Sequence, residues 1–198
     1  MRDDMQTHFV KMLIRYGSIF LLAFFVVQPC IGEILKDDPL YQVNTFANLE
    51  KGAYNRVITV DEMADKGDFG VGGFEHMDGE LLQMNGTIYQ ITSDGVVHTP
   101  RGDTGIAFMN TVRFNPVWSI PISGPANLSR LEETLKKTFP SDNQIYALRV
   151  DGIFSEMKIR SLPVQDEPYP VLSTVVANQS IFNLTNTTGT ITGFWFPA

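Results

Sequence analysis

The sequence predicts an α+β fold built on a mixed, largely antiparallel β-sheet with a few short helices. Most apolar segments are short, and clusters of turn-forming residues separate them. The pair Asn85-Gly86 lies between residues 80–84 and 87–91, an arrangement typical of a two-residue β-hairpin. Only two segments carry a helix capping box, so strands are expected to dominate.

The residues before this hairpin are predicted to form two short helices and a glycine-rich passage. A weak helical period runs from Asn44 to Asn55. Thr59 and Glu62 form a capping box, which predicts a short helix that stops by Gly67. The glycine-rich residues 67–74 predict a tight backbone path that needs small residues and positive φ angles.

The residues after the hairpin are predicted to be mainly strands. A capping box at Ser129 and Glu132 opens one helix, which Pro140 terminates. The pair Asp151-Gly152 predicts a second hairpin, in the same α+β unit as the first. The predicted strands are 106–114, a proline-flanked edge strand at 116–122, the hairpin strands 144–150 and 153–161, and two further strands at 180–184 and 190–196.

Composition excludes several classes of protein. The chain has 198 residues, a net charge of −7 and a pI near 4.9, with 43% hydrophobic and 19% charged residues. This balance suits a folded domain rather than a disordered chain. The acidic charge argues against a nucleic-acid partner, whose phosphates need a basic surface. The single cysteine, Cys30, excludes a disulfide framework and a Cys-rich zinc module.

The first 32 residues have the three-part pattern of a secretory signal peptide. Basic residues precede the apolar run 19–27, and small residues at Cys30 and Gly32 predict cleavage after Gly32. The domains are therefore predicted as 1–32 signal peptide and 33–198 folded domain, with a secreted or extracytoplasmic location and no membrane contact after cleavage. Met12 is an alternative start. The basic residues are Arg2, Lys11 and Arg15.

The alternatives to cleavage are an uncleaved membrane anchor and a lipid anchor on Cys30. The apolar run is too short to cross a hydrocarbon core that needs about 20 apolar residues. Gln28 and Pro29 are poor neighbours for a lipidated cysteine. Removal of residues 1–32 takes three of the 15 bases and two of the 22 acids, which leaves a net charge of −8. It also leaves two histidines, His76 and His98.

A series of motifs from about residue 42 to 198 resembles the α-acetolactate decarboxylase family. The motifs occur in the family's order, so chance is a poor explanation. They are Gly67-Asp-Phe-Gly-Val-Gly-Gly-Phe-Glu-His-Met-Asp-Gly-Glu-Leu81, Asn85-Gly86, Tyr89-Gln90, Asp94-Gly95, Ala107-Phe108, Tyr146-Ala-Leu-Arg-Val-Asp-Gly152, Arg160-Ser-Leu-Pro163, Gln165, Pro168-Tyr-Pro170 and Gly189-Thr-Ile-Thr-Gly-Phe-Trp-Phe-Pro197.

The resemblance implies a two-part α/β architecture and metal-dependent decarboxylation of 2-acetolactate to acetoin and carbon dioxide. The cofactor it implies is zinc, held by a His-x-His pair and a third histidine. A divalent cation would stabilise the enediolate left when carbon dioxide departs, and a positioned donor would protonate it. The implied partner is a small-molecule substrate, and the resemblance is also compatible with a homodimer.

Two catalytic residues of the family map onto this sequence. Glu80 occupies the place of the glutamate in the family's Asp-Gly-Glu motif, and Arg160 that of the arginine that meets the substrate's charge. A guanidinium suits a carboxylate because it donates two parallel hydrogen bonds. Without the resemblance, both would be read as ordinary solvated charges.

Two departures from the family pattern bear on activity. Gly73 stands where the family generally has Thr, so one hydroxyl is absent. The His-x-His pair should follow residues 193–197, whereas the chain stops at Ala198, so the domain is expected to be C-terminally incomplete. His76 and His98 are not spaced as the family's ligands, and no metal-ligating residue is assigned. The 198-residue chain is therefore expected to be inactive by itself.

Two other functions remain open at this point. One is a non-catalytic secreted protein that keeps the acetolactate decarboxylase fold. The other, with less support, is a hydrolase that uses Glu75 and Glu80 as paired carboxylates. Five Asn-x-Ser/Thr sequons would be acceptors of carbohydrate in an exported chain: Asn85, Asn127, Asn178, Asn183 and Asn186.

Overall fold

The computed structural model describes residues 30–33 and 39–196, which cluster into two compact units. The first unit comprises 39–114 and 160–181, and the second comprises 30–33, 115–159 and 182–196. The strands in this part of the chain are β1 Cys30–Glu33, β2 Tyr41–Val43, β3 Ile58–Thr59, β4 Phe69–Phe74, β5 Glu80–Met84, β6 Thr87–Ile91, β7 Val97–His98, β8 Gly105–Val112, β9 Pro116–Ser119, β10 Tyr146–Ser161 and β11 Ser180–Trp195. The helices are α1 Phe46–Leu49, α2 Val60–Met63, α3 Leu128–Thr138 and α4 Leu172–Ala177, with a 3₁₀ turn at Glu75–Met77.

The predicted α+β class with a largely antiparallel sheet is confirmed. The first unit contains an antiparallel sheet in the order β2-β8-β4-β5-β6-β7, with β3 also paired to β8. Every residue of β8 is buried, as expected of a strand covered on both faces. Its Ile106 and Met109 belong to the main core of this unit. The other buried members of that core are Met63, Phe74, Leu81 and Ile88.

Local signals in the first unit predict its elements well. The β5–β6 hairpin forms with Met84 opposite Thr87, and Asn85 and Gly86 adopt φ angles of 51° and 80°. Positive φ at both central residues is the type I′ geometry that favours Asn-Gly. The Thr59–Glu62 capping box also forms and starts α2.

The glycine-rich passage needs small residues because its backbone lies close to a neighbouring strand, and not because its residues take positive φ angles. Residues 69–74 form the central strand β4, and Gly70, Gly72 and Gly73 are not among the residues with positive φ. A Cβ on Gly72 would collide with the carbonyl oxygen of Phe108 on β8 and lie 2.9 Å from the Cα atom of Met109. The expectation of small residues is therefore confirmed, and the expectation of positive φ is wrong.

Gly72 and its neighbour Gly73 differ in the room that each has for a side chain, and this gives a matched pair of variants. Gly72→Ala is expected to lower the free energy of unfolding by roughly 2–4 kcal/mol, because both atoms it meets are backbone and cannot move aside. Gly73→Ala is expected to cost less than about 1 kcal/mol, since its nearest neighbour is the Cε atom of Met77 at 3.7 Å. Urea denaturation of both variants measures the difference, and equal losses would contradict the packing argument.

The second unit contains a four-stranded sheet in the order β11-β10-β1-β9. The predicted proline-flanked edge strand is confirmed as β9, which pairs with β1. Helix α3 packs Leu135 against Tyr146 of β10, and the rings of Phe139 and Tyr146 stack with their centroids 4.0 Å apart. The helix cap differs from the prediction: Asn127 is the N-cap and accepts a hydrogen bond from the backbone N–H of Arg130 at 2.9 Å, so the Ser129 capping box does not form.

The predicted second hairpin does not form, because β10 is one continuous strand from Tyr146 to Ser161. Gly152 does not take a positive φ, and the Asp151 carboxylate accepts hydrogen bonds from Arg149 Nε at 3.1 Å and Thr190 Oγ1 at 2.6 Å. Asp151 therefore makes a contact to β11 instead of a turn. The prediction that both regions belong to one unit is also wrong, since the Asn85 hairpin lies in the first unit and residues 146–159 lie in the second.

The two predicted C-terminal strands are likewise one strand, β11. Of the predicted signal peptide, residues 1–29 lie outside the described residues, and Cys30–Gly32 form part of β1. No helix in the described ranges is both long and apolar enough to span a membrane.

Candidate active site

Glu80 begins β5, directly opposite Gly73 of β4 and Ile91 of β6. Residues directly opposite one another in an antiparallel sheet share a face, so these three positions form one row. The next residue, Leu81, points to the opposite face and joins the core. Glu80 is therefore placed on the face away from that core, and it is half-buried.

The segment that carries Arg160 is fixed beside this row. The backbone N–H of Gly79 donates to the carbonyl oxygen of Leu162 at 3.2 Å, and the Ser161 hydroxyl donates to the carbonyl oxygen of Ile91 at 2.8 Å. Ser161 is fully buried and Arg160 is half-buried. The structure therefore brings the chain segments of both predicted site residues together, although 80 positions separate them in the sequence.

The surroundings of Glu80 change its acid strength. Burial raises the pKa of the Glu80 carboxyl from 4.5 to about 7, and the backbone N–H of Leu162 opposes part of that shift. A carboxyl group with a pKa near neutrality can either hold or release a proton under ordinary conditions. Because Arg160 lies two residues before Leu162, the same short segment carries the guanidinium and tunes the carboxylate.

The turn that leads into Glu80 is fixed by two groups to which no role was assigned from the sequence. Gly79 has a φ of 79°, and a Cβ there would collide with the carbonyl oxygen of Ile91. The amide of Gln90 donates to the backbone oxygen of Asp78 at 2.7 Å and to its carboxylate at 3.1 Å. Gln90 and Ser161 both lie within the motifs that carry the family resemblance, and that is the signal that could have identified them.

Replacing Ser161 tests this arrangement. Ser161→Ala removes the donor to Ile91 and is expected to lower the free energy of unfolding by about 1–2 kcal/mol. It is also expected to raise the pKa of Glu80 further, because the Leu162 N–H is held less firmly against the carboxylate. Carbon-13 NMR titration of the glutamate carboxyls measures that pKa. Ser173→Ala, at an exposed position in α4, is the control. An unchanged Glu80 titration would show that Ser161 is only structural.

Gly73, the departure from the family pattern, has room for a side chain. A Cβ there would face the Met77 side chain at ordinary contact distances of 3.7 and 3.9 Å. Because Gly73 is directly opposite Glu80, a threonine at this position would place its hydroxyl in the same row as the carboxylate.

The two histidines among the described residues, His76 and His98, do not belong to a cluster of possible metal ligands. His76, with a φ of 60°, shares a 2.6 Å hydrogen bond between its Nδ1 and the Tyr169 hydroxyl, which also donates to Asn55 Oδ1 at 3.0 Å. His98 is exposed on β7. Within residues 39–196, no three or more His, Cys, Asp or Glu side chains are grouped so that they could hold a metal ion. The described residues therefore do not fit the three-histidine zinc centre.

Glu75, the second carboxylate of the predicted pair, begins the 3₁₀ turn directly after β4. Its carboxyl group occupies the space that a side chain on Gly105 would need. The paired-carboxylate hydrolase stays a prediction.

Comparison with known proteins identifies the family of this chain. Residues 40–198 match the family model described as alpha-acetolactate decarboxylase. A protein of that name from Methanosarcina mazei is 40% identical over 160 residues, which cover 81% of this chain and 56% of the relative. One from Bacillus licheniformis is 37% identical over 172 residues, which cover 87% of this chain and 67% of the relative.

A solved structure gives the same result for the fold. The crystal structure of alpha-acetolactate decarboxylase from Bacillus subtilis strain 168 superposes with a TM-score of 0.78 at 34% identity. The match covers 80% of this chain and 68% of that chain. This chain thus spans between about half and two thirds of the length of these relatives. The family match and the superposition together show that the chain belongs to the alpha-acetolactate decarboxylase family.

Proposed function

We propose that this chain provides part of the site of an enzyme that decarboxylates 2-acetolactate to acetoin and carbon dioxide. The observation that carries the proposal is the contact of the Arg160–Leu162 segment with the row that contains Glu80. In this reaction the bond to the carboxylate carbon breaks, its electron pair enters an enediolate, and a proton must then be added at carbon. The site thus needs one group that binds an anion and one that moves a proton.

Arg160 and Glu80 suit these two tasks. A guanidinium binds a carboxylate with two parallel charge-assisted hydrogen bonds, which also fix its orientation. Glu80, with its pKa raised to about 7 by burial, holds a proton in about half of the molecules at neutral pH. We assign Arg160 to substrate binding and Glu80 to proton transfer.

Zinc is proposed only at the level of the family. When bound, it would supply a positive charge next to the developing enediolate. Because the described residues do not fit such a centre, no step is assigned to a metal that they hold. Secretion and a homodimer likewise stay proposals.

The test is acetoin production from 2-acetolactate by two proteins. The first is the 198-residue chain. The second is a fusion in which the part of the Bacillus licheniformis relative that follows the matched region is joined after Ala198. We expect the chain alone to match the spontaneous rate with or without zinc, and the fusion to exceed it. The expectation rests on the histidines of residues 33–198, because His76 and His98 alone cannot make a three-histidine site.

Each outcome separates the candidate functions. Zinc-dependent acetoin formation by the chain alone would show that the chain itself holds a metal site. An inactive fusion that is folded by circular dichroism would favour the alternative, a non-catalytic secreted protein that keeps the fold.

A further inference from the structure

We propose that Asn183 and Asn186, on strand β11, are acceptors for N-linked oligosaccharide. Both begin Asn-x-Thr sequons, with Thr185 and Thr188 at the third position. The proposal goes beyond the decarboxylase function and rests on the environment of β11 rather than on the sequence pattern alone.

The first argument is that β11 is an edge strand without the usual protection. It lies at the end of the four-stranded sheet in the described part of the chain. Residues 180–195 contain no Lys, Arg, Asp, Glu or Pro, and they are rich in Thr, Ile and Phe. Natural edge strands are commonly protected from pairing with other chains by charges, prolines or bulges. An uncharged strand of this length with high β propensity is an aggregation hazard unless something else covers it.

The second argument is the exposure of both sequons. Side chains two positions apart share one face of a strand, so Asn and Thr of a sequon point the same way. Asn183 and Thr185 are both exposed, and they alternate with the partly buried Phe182 and Leu184. Strict alternation would turn Asn186 toward the partly buried face.

That alternation is broken at Asn186. Its φ of 49° is in the left-handed region, and Thr185 and Asn186 are consecutive exposed residues. The change of phase leaves Thr188 exposed as well. The left-handed backbone accounts for an asparagine at position 186, but it does not account for the threonine at 188. The irregularity therefore presents a second complete sequon to solvent.

The other three sequon asparagines each have a structural role. Asn85 forms the first position of the type I′ turn, Asn127 caps α3, and Asn178 Nδ2 donates to the carbonyl oxygen of Thr174 at 3.0 Å. For Asn183, by contrast, no hydrogen-bond partner of the side chain is found among residues 30–33 and 39–196. Its amide is available to an enzyme.

The chemistry needs one co-reactant, an oligosaccharide linked to a lipid pyrophosphate. The asparagine Nδ2 forms a bond to the anomeric carbon, the bond from that carbon to the phosphate oxygen breaks, and the amide loses one proton. The product keeps one amide N–H, and no electrons are exchanged. A bulky hydrophilic group next to β11 would then keep a second strand from pairing with it.

The test uses the protein isolated from the organism that makes it. Residues 161–198 contain no Lys or Arg, so chymotrypsin is used to separate the two sequons. Treatment with a peptide amidase that converts glycosylated Asn to Asp, in heavy-oxygen water, is expected to label position 183, position 186 or both. Unlabelled asparagine at both positions would overturn the proposal. The N-terminal sequence of the same sample, expected to begin near Glu33, shows separately whether the signal peptide was removed.

Recombinant protein from a glycosylating secretory host tests the role of the glycan. Asn183→Gln combined with Asn186→Gln is expected to lose the glycan and to self-associate at a several-fold lower concentration in sedimentation velocity. Thr185→Ser combined with Thr188→Ser keeps both sequons and should behave as the parent protein. Asn143→Gln, at an exposed asparagine outside any sequon, is the control. A glycan-free double variant with the parent's association behaviour would refute protection of the edge.

Discussion

Arg160→Ala in the active fusion is expected to lower kcat/KM for 2-acetolactate by about 10³-fold. In the proposed binding mode Arg160 donates two charge-assisted hydrogen bonds to the substrate carboxylate, and the substitution removes both. Losses of about 2–5 kcal/mol are usual for such buried or partly buried pairs. Glu80→Gln is expected to lower kcat by about 10²–10⁴-fold, because glutamine keeps the shape of the side chain but cannot transfer the proton. Steady-state acetoin assays measure both effects.

Matched controls make this test specific to the site. Arg101→Ala removes an arginine that is 84% exposed in the same unit, and Glu133→Gln changes an exposed carboxylate on α3. Both controls should retain the parent's turnover. Arg160→Lys should recover little activity, since an ammonium cannot donate the two parallel bonds. Unchanged turnover in both Arg160→Ala and Glu80→Gln would show that the site residues are wrongly assigned.

Glu80→Gln is also expected to stabilise the 198-residue chain at pH 8 and to leave its stability nearly unchanged at pH 4.5. Burial raises the pKa of Glu80 from 4.5 to about 7. Between these two pH values the folded state therefore holds a proton that the unfolded chain has already lost. The stability of the parent protein must then fall as pH rises from about 4.5 to 7, and it levels off above that range. A shift of this size corresponds to at most about 3 kcal/mol.

Glutamine at position 80 does not ionise and so does not contribute this loss. Urea denaturation at the two pH values measures the difference between the variant and the parent. Glu133→Gln is the control. The hydrogen bond from Lys137 lowers the pKa of Glu133, so the charged carboxylate favours the folded state and its loss should not stabilise the chain at pH 8. Equal stability of Glu80→Gln and the parent at pH 8 would show that the carboxylate is well solvated in the folded chain.

The features that could be predicted from the sequence are those fixed by near neighbours. The Asn85-Gly86 turn and the Thr59–Glu62 cap need only a few residues to define their geometry, and both are confirmed. Asp151-Gly152 carries a similar turn signal, but its conformation depends on Thr190, 39 residues away. A distant partner of this kind cannot be read from local pattern, so the sequence predicts a hairpin where the chain forms one continuous strand.

The candidate site shows the same limit. Only the family resemblance singles out Glu80 and Arg160, since each alone is an ordinary charged residue in the sequence. The neutral-range pKa of Glu80 depends on burial by distant elements, and the functions of Gln90 and Ser161 depend on backbone atoms elsewhere in the fold. These properties exist only once the tertiary contacts are known.

The hydrogen bond from Ser161 to Ile91 spans 70 residues, and this separation has a consequence for how the chain acquires its chemistry. The β5–β6 hairpin closes over two residues, whereas docking of the 160–162 segment requires closure of a long loop, whose entropic cost grows with the logarithm of its length. Local structure around Glu80 can therefore form early in folding, before the arginine arrives. Until that late closure, a nascent chain or a partly folded intermediate has the sheet, but it lacks both the raised pKa of Glu80 and the docked segment that carries Arg160.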